Sequence, residues 1–191
     1  MLKAIAVVVV ILVAGLGAVL VYAATLPDEF RVQRRIIIAA PPEEIFPLVN
    51  DHHRVAAWSP YEKKDPAMKR AYSGAESGTG AVYEWDGDRN VGKGRIEIVE
   101  SVPPAKVTLK LDMIKPFAGH NTVEFTLQPQ GETTTVTWAM HGVVPYMAKL
   151  FCMVINGDRM VGDDFEAGLA NLKTLVEREA IQTRARQAIA Q

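Results

Sequence analysis

Hydrophobic and polar positions divide the chain into four kinds of stretch. From Ala4 to Ala24 no charge, Asn, Gln or Pro interrupts a run dominated by Val, Ile, Leu, Ala and Gly. After the polar break "TLPDEF" (25–30), "FRVQRRIIIAA" alternates Phe30, Val32, Ile36 and Ile38 with Arg31, Gln33 and Arg35, which predicts a strand of period two. "PPEEIFPLVN" begins with proline and places acids in its first turn, as helix starts do. Ile45, Phe46, Leu48 and Val49 give it an apolar face, and Pro47 keeps it short.

From about 68 to 142 the signals are those of strands. "MKRAYSG", "GAVYEWDG", "GRIEIVES", "AKVTLKLDM", "NTVEFTLQP" and "TTTVTWAMHG" are separated by Gly, Pro, Asn and Asp clusters, the pattern of successive antiparallel hairpins. Val123, Phe125 and Leu127 alternate with Thr122, Glu124 and Thr126; Val136, Trp138 and Met140 alternate with Thr135 and Thr137. One face of this sheet is therefore buried and the other wet. "YMAKLFCMVI" (146–155) predicts a short apolar helix. "DRMVGDDFEAGLANLKTLVERE" then places Met160, Val161, Phe165, Leu169, Leu172 and Val176 at helical spacing, before thinning into a polar tail. The fold class that follows is α+β: a curved antiparallel sheet wrapped around a long C-terminal helix. A strongly curved sheet gripping a helix leaves space between them, where apolar ligands sit.

Length changes this picture little, since 191 residues fit one modest domain with an appendage. The first run changes it more. A helix over 4–24 would measure about 31 Å, matching a hydrocarbon core of about 30 Å, and predicts one transmembrane helix contacting a lipid bilayer. Val21 and Ala23 leave a cleaved signal as the alternative. The expected parts are an anchor over 1–26, a domain over 27–178 and a polar helical tail over 179–191. Basic residues nearly balance across the run, Lys3 before it and Arg31, Arg34 and Arg35 after it. The very short N-terminal tail favours a single-pass protein with its domain outside the cytoplasm. A net charge of −1 with interspersed signs provides no face for nucleic acid. One cysteine, Cys152, excludes an internal disulfide, so the fold relies on its core.

Candidate chemistry concentrates in "NDHHRVAAWSPYEKKDP" (50–66). His52 and His53 are adjacent, point different ways on any regular element, and have no Cys or His motif with them; His120 and His141 are the only others. The expectation is no metal, a solvated histidine pair, and an entrance region formed by Asp51, His52, His53 and Tyr61. "SGTG" (77–80), "VGKG" (91–94) and "DGDRN" (86–90) read as turns. What remains is an excess of large apolar side chains on the face toward the helices: Trp58, Tyr83, Trp85, Met113, Phe125, Trp138 and Met140. Met147, Phe151, Met160 and Phe165 join them from the C-terminal helices. Methionines tolerate irregular shapes, and Trp and Tyr can line an apolar wall while their polar atoms find partners. No cofactor is expected.

"RRIIIAAPPEEIFPLVND", "WSPYEKKDPAMKRAYSG", "GAVYEW", "VGKGRIEIVES", "EFTLQPQGETTTVTW" and "GDDFEAGLANLKTLVE" occur in that order over residues 30–178. In these the chain resembles a member of the SRPBCC (START-like, helix-grip) superfamily, in its polyketide cyclase/dehydrase and lipid-transport branch. The resemblance implies a deep hydrophobic cavity between sheet and long helix; family members bind lipids, sterols, polyketides, quinones or plant hormones. It transfers no catalytic residue, because catalytic patterns differ between branches. The expected function is membrane-tethered binding of a hydrophobic small molecule, for holding or transfer. The rivals are a cyclase, dehydratase or hydrolase using Asp51, His52 or His53 as acid or base, and an envelope protein-interaction domain.

Overall fold

The computed structural model describes residues 2–116, 118–144, 149 and 157–189, and their side chains over 11–116, 118–144, 149 and 159–182. Seven strands form one antiparallel sheet. They are β1 (Glu29–Ile38), β2 (Lys69–Gly74), β3 (Ala81–Asp86), β4 (Lys93–Val102), β5 (Lys106–Lys115), β6 (Gly119–Gln130) and β7 (Thr133–Val143). Their order is β1-β7-β6-β5-β4-β3-β2, so the first two strands in sequence lie at opposite edges. The chain crosses between those edges through three short helices, α2 (Pro42–Val49), α3 (His52–Val55) and α4 (Pro60–Lys64). The helix read at "PPEEIFPLVN" is the first of these three.

Alternation sets the two faces as expected. Val123, Phe125 and Leu127 are buried on β6, and Val136 and Trp138 on β7, while their threonine and glutamate neighbours face outward. The register between β4 and β5 shifts at Lys93/Gly94 and at Ile98/Glu100, and such irregularities bend and twist a strand. The turns fall close to where they were read, with Asp86 ending β3 and Lys93 and Gly94 already in β4. Gly92 sits at φ +67°, where a Cβ would meet the Lys115 carbonyl.

The long C-terminal helix, α5 (Gly157–Ile189), turns Phe165, Leu169, Leu172 and Val176 inward at spacings of four, three and four. Burying each of these contributes roughly 1.5–3 kcal/mol. The helix packs chiefly along β1 and reaches β7, α2 and α4. Polar side chains tie it to that edge strand: Glu166 accepts from Arg34 Nε at 2.7 Å, Glu177 accepts from the Ala39 amide at 3.1 Å, and Lys173 donates to the Ile37 carbonyl at 2.7 Å. Two of these bonds satisfy main-chain groups on an edge that would otherwise be open to another strand.

Two expectations are corrected here. The run 4–24 predicts a single-pass anchor, and α1 is indeed helical over Leu2–Thr25. Among the described residues no helix is long and apolar enough to cross a membrane. The single-pass localisation drawn from that run does not hold. Met160 is the second correction: it is 61% exposed. Five residues ahead of Phe165 it falls well off the packed stripe, whereas Val161, four ahead, packs against the core. The predicted helix 146–155, with Met147 and Phe151, lies outside the described residues except for Lys149. That lysine is buried; its Nζ donates to the Leu26 carbonyl at 2.7 Å and pairs with Asp28 at 2.6 Å, which pins the start of β1.

Candidate ligand-binding face

The concave face of the sheet has two halves. In the first, four aromatic rings fill the space beneath α5. Trp138 stacks on Phe165 with centroids 4.0 Å apart and planes 9° from parallel. Trp58 meets Trp138 at 5.5 Å and 82°, and Phe125 at 5.9 Å and 89°, both edge-on. Offset and T-shaped pairs of this kind add stability beyond their buried area. Gly168 makes the stack feasible, since a Cβ there would lie 2.7 Å from Trp138 Cζ3. Trp58 is fixed from both sides: its Nε1 donates to the Leu48 carbonyl at 2.9 Å, and its own carbonyl accepts from Asn171 at 3.0 Å.

In the second half the apolar side chains are only half-buried. Met140 on β7, Leu111 and Met113 on β5, Ile96 on β4, and Tyr83 and Trp85 on β3 continue the same face. Trp85 lies across Gly94, and its Nε1 donates to the Val91 carbonyl at 3.1 Å. Strand alternation therefore brings Tyr83, Trp85, Met113, Phe125, Trp138 and Met140 to one face, with Trp58, from the turn after α3, and Phe165 packed against it. Among the described large apolar candidates, Met160 is excluded from it.

A polar rim borders the open half. Glu62 accepts from Tyr83 Oη and from Arg70 Nε, each at 2.7 Å. Burial first, then the hydrogen bond to the Glu62 carboxylate, pushes the Tyr83 phenol well above its ordinary pKa, so it stays a donor. Tyr61 is raised too, by burial and then by Asp164. Asp164 also pairs with Lys64 at 2.6 Å. Beyond the rim runs a ladder of rings: His53 on Tyr72 at 3.9 Å, Tyr72 on Tyr83 at 5.0 Å, and Tyr83 on Trp85 at 5.8 Å.

The histidine pair splits. His53 is exposed and stacked, but His52 is only 6% exposed, which corrects the reading of a solvated pair. Its Nε2 lies 3.2 Å from the Ala81 carbonyl; a carbonyl only accepts, so Nε2 carries the proton. Burial lowers its pKa, and the neutral ring suits that site. Asp51 caps α3, accepting from the His53 amide at 2.8 Å. Asp51 is thus engaged with the main chain, and His52 lies beside Tyr83, their ring centroids 6.1 Å apart, with its Nε2 held by Ala81. Among the described residues no group of three or more His, Cys, Asp or Glu could hold a metal ion.

Glu62, Arg70, Tyr72 and Asp164 were not singled out from sequence. Arg70 and Tyr72 share a face with Tyr83 in the alternating run "MKRAYSG", the one signal that could have found them. An open groove of about 520 Å³ also exists on the opposite, outer face. It is lined by His120 and His141, which face carboxylates: His120 Nδ1 is 2.5 Å from Asp112, and His141 Nδ1 is 4.0 Å from Glu124. It lies on the wrong side of the sheet for the aromatic face.

A family model described as "Polyketide cyclase / dehydrase and lipid transport" matches residues 29–177. Solved structures share the fold at low identity. A protein from Mesorhizobium loti is 18% identical, with a TM-score of 0.58, covering 78% of this chain and 98% of its own. A major latex-like protein from Panax ginseng is 13% identical, with a TM-score of 0.56, covering 78% and 97%. The Aha1 dimer from Colwellia psychrerythraea is 16% identical, with a TM-score of 0.55, covering 78% and 96%. No curated protein matches significantly. With most of its length matched by one family model, the chain belongs to the polyketide cyclase/dehydrase and lipid transport family.

Proposed function

We propose, from that family membership, that the protein binds a hydrophobic small molecule against the concave face of the sheet, for holding or transfer. One observation carries the reading. The apolar face that is sealed around Trp58, Phe125, Trp138 and Phe165 continues, with no change in chemistry, into half-buried Tyr83, Trp85, Ile96, Leu111, Met113 and Met140. Apolar side chains left partly uncovered beside a packed core gain free energy when an apolar ligand covers them, at about 25 cal/mol per Å². The two methionines adapt to irregular shapes, and the Glu62–Arg70–Tyr83 rim keeps polar groups at the border of the face.

The test is mass spectrometry of organic extracts of the full-length protein, beside a Met140→Trp variant that fills the open half. The expected result is a stoichiometric apolar molecule carried by the native chain and lost from the folded variant. Equal retention by both would move the ligand away from this face. A native chain carrying nothing, and taking up no apolar probe, would end the proposal.

A further inference from the structure

The three tryptophans of the concave side differ in one respect. Trp58 Nε1 has the Leu48 carbonyl and Trp85 Nε1 has the Val91 carbonyl. Trp138 Nε1 is buried with no hydrogen-bond partner, in a side chain only 7% exposed. An indole nitrogen is a donor only, so no change of tautomer removes its need for an acceptor. His141 Nδ1, the other unpartnered buried atom among the described residues, is different. An imidazole nitrogen can shed its proton, and Glu124 stands 4.0 Å away. Leaving a buried N–H unpaired costs on the order of 1–3 kcal/mol. Phenylalanine would fill most of the same stack on Phe165 without that cost.

Resting on the binding reading above, we infer that Trp138 Nε1 is the hydrogen-bond donor reserved for the ligand. The ligand class is thereby narrowed from any hydrocarbon to an apolar molecule bearing an acceptor oxygen, such as a ketone, quinone or ester carbonyl. The position fits the task. Trp138 lies two residues from Met140 on the same face of β7, where the sealed half gives way to the half-buried one. A carbonyl that reached that N–H from the Met140 side would leave its hydrocarbon remainder over Met140, Leu111 and Met113. The bond acts on selectivity more than on affinity, because an acceptor-free molecule leaves the donor as unpaired as the empty protein does, whereas a carbonyl completes it.

Two probes with one skeleton test this: menadione, a methylated naphthoquinone, and methylnaphthalene, which lacks both carbonyls. Affinities are measured on the native chain and on Trp138→Phe, which keeps an aromatic ring and deletes the N–H. The expected outcome is a loss of about tenfold for menadione and less than twofold for methylnaphthalene. Because each probe is its own control, differences in partitioning cancel. The native chain supplies a second readout independent of the variant's folding. With its indole nitrogens isotopically labelled, menadione shifts the Trp138 N–H resonance downfield and leaves those of Trp58 and Trp85 in place, while methylnaphthalene shifts none downfield. Equal losses for both probes, or an unmoved Trp138 resonance at saturating menadione, would overturn the assignment and leave the binding reading standing. A native chain that takes neither probe would overturn both.

Discussion

His52 shows how one residue's surroundings reverse what its type suggests. In "NDHHRV" it looks like half of a polar pair, yet α3 turns it inward to the Ala81 carbonyl and leaves His53 to stack outside on Tyr72. Burial lowers its folded pKa beneath the ordinary imidazole value of 6.5. Between those two values the unfolded chain binds a proton that the folded chain does not, so stability rises with pH across that window and falls as pH drops below about 6.5. The depressed carboxylates Asp86, Glu100, Asp112 and Glu177 act lower, losing their contribution only as pH falls beneath the ordinary carboxylate range. Urea midpoints at pH 7 and pH 5 separate the two. His52→Gln, which keeps an N–H for Ala81, is expected to flatten the slope between them; an unchanged slope would assign it to other groups. Alternation places Tyr83, Phe125 and Trp138 correctly from sequence alone, because a strand's period of two leaves no choice of face. His52 and Met160 were misplaced because a four-residue helix has no period to read, and because a shift of one residue in a helix moves a side chain by about 100°.

Among the elements, α4 depends most on its partners. Five residues cannot hold a helix alone. Glu62 fastens it to Arg70 and Tyr83 on β2 and β3, while Tyr61 and Lys64 fasten it to Asp164 on α5. It therefore ties the β2 edge of the sheet to a helix that packs along the opposite edge, β1. Asp164→Ala removes the α5 side of that tie. The Lys64 pair is partly exposed and worth little by itself; the half-buried Tyr61 hydroxyl left without its acceptor contributes most, and the expected loss is about 1–2 kcal/mol. Hydrogen exchange should accelerate over residues 60–64 while β5 to β7 stay protected. Uniform acceleration would mean instead that α4 unfolds only with the whole domain. This element was illegible in sequence for a physical reason: its order comes from Asp164, a hundred residues away. The seven strands were legible because each carries its own alternation and turn. The β4 irregularities were not, since no residue in "GRIEIVES" marks them.

At the scale of the whole molecule, the sheet and α5 were readable, whereas the apolar N-terminal run was read from composition alone as a membrane span, which no helix among the described residues provides. What composition could not show is that the concave face is unevenly filled. That unevenness makes the last prediction. A ligand that binds only the folded chain stabilises it by RT ln(1 + [L]/Kd), about 2.7 kcal/mol at a hundredfold excess over Kd. For a chain of this size about 2–4 °C of Tm accompanies each kcal/mol, so saturating menadione should raise Tm by roughly 5–11 °C. Met140→Trp should unfold at or above the native temperature without ligand, since it covers the same half-buried surface with protein, and should gain almost nothing from menadione. The two effects come from one surface, so they must trade against each other. A variant that is stabilised yet still shifts fully with menadione would place the ligand elsewhere on the molecule, and one that is destabilised would show the open half to be tighter than its exposure implies.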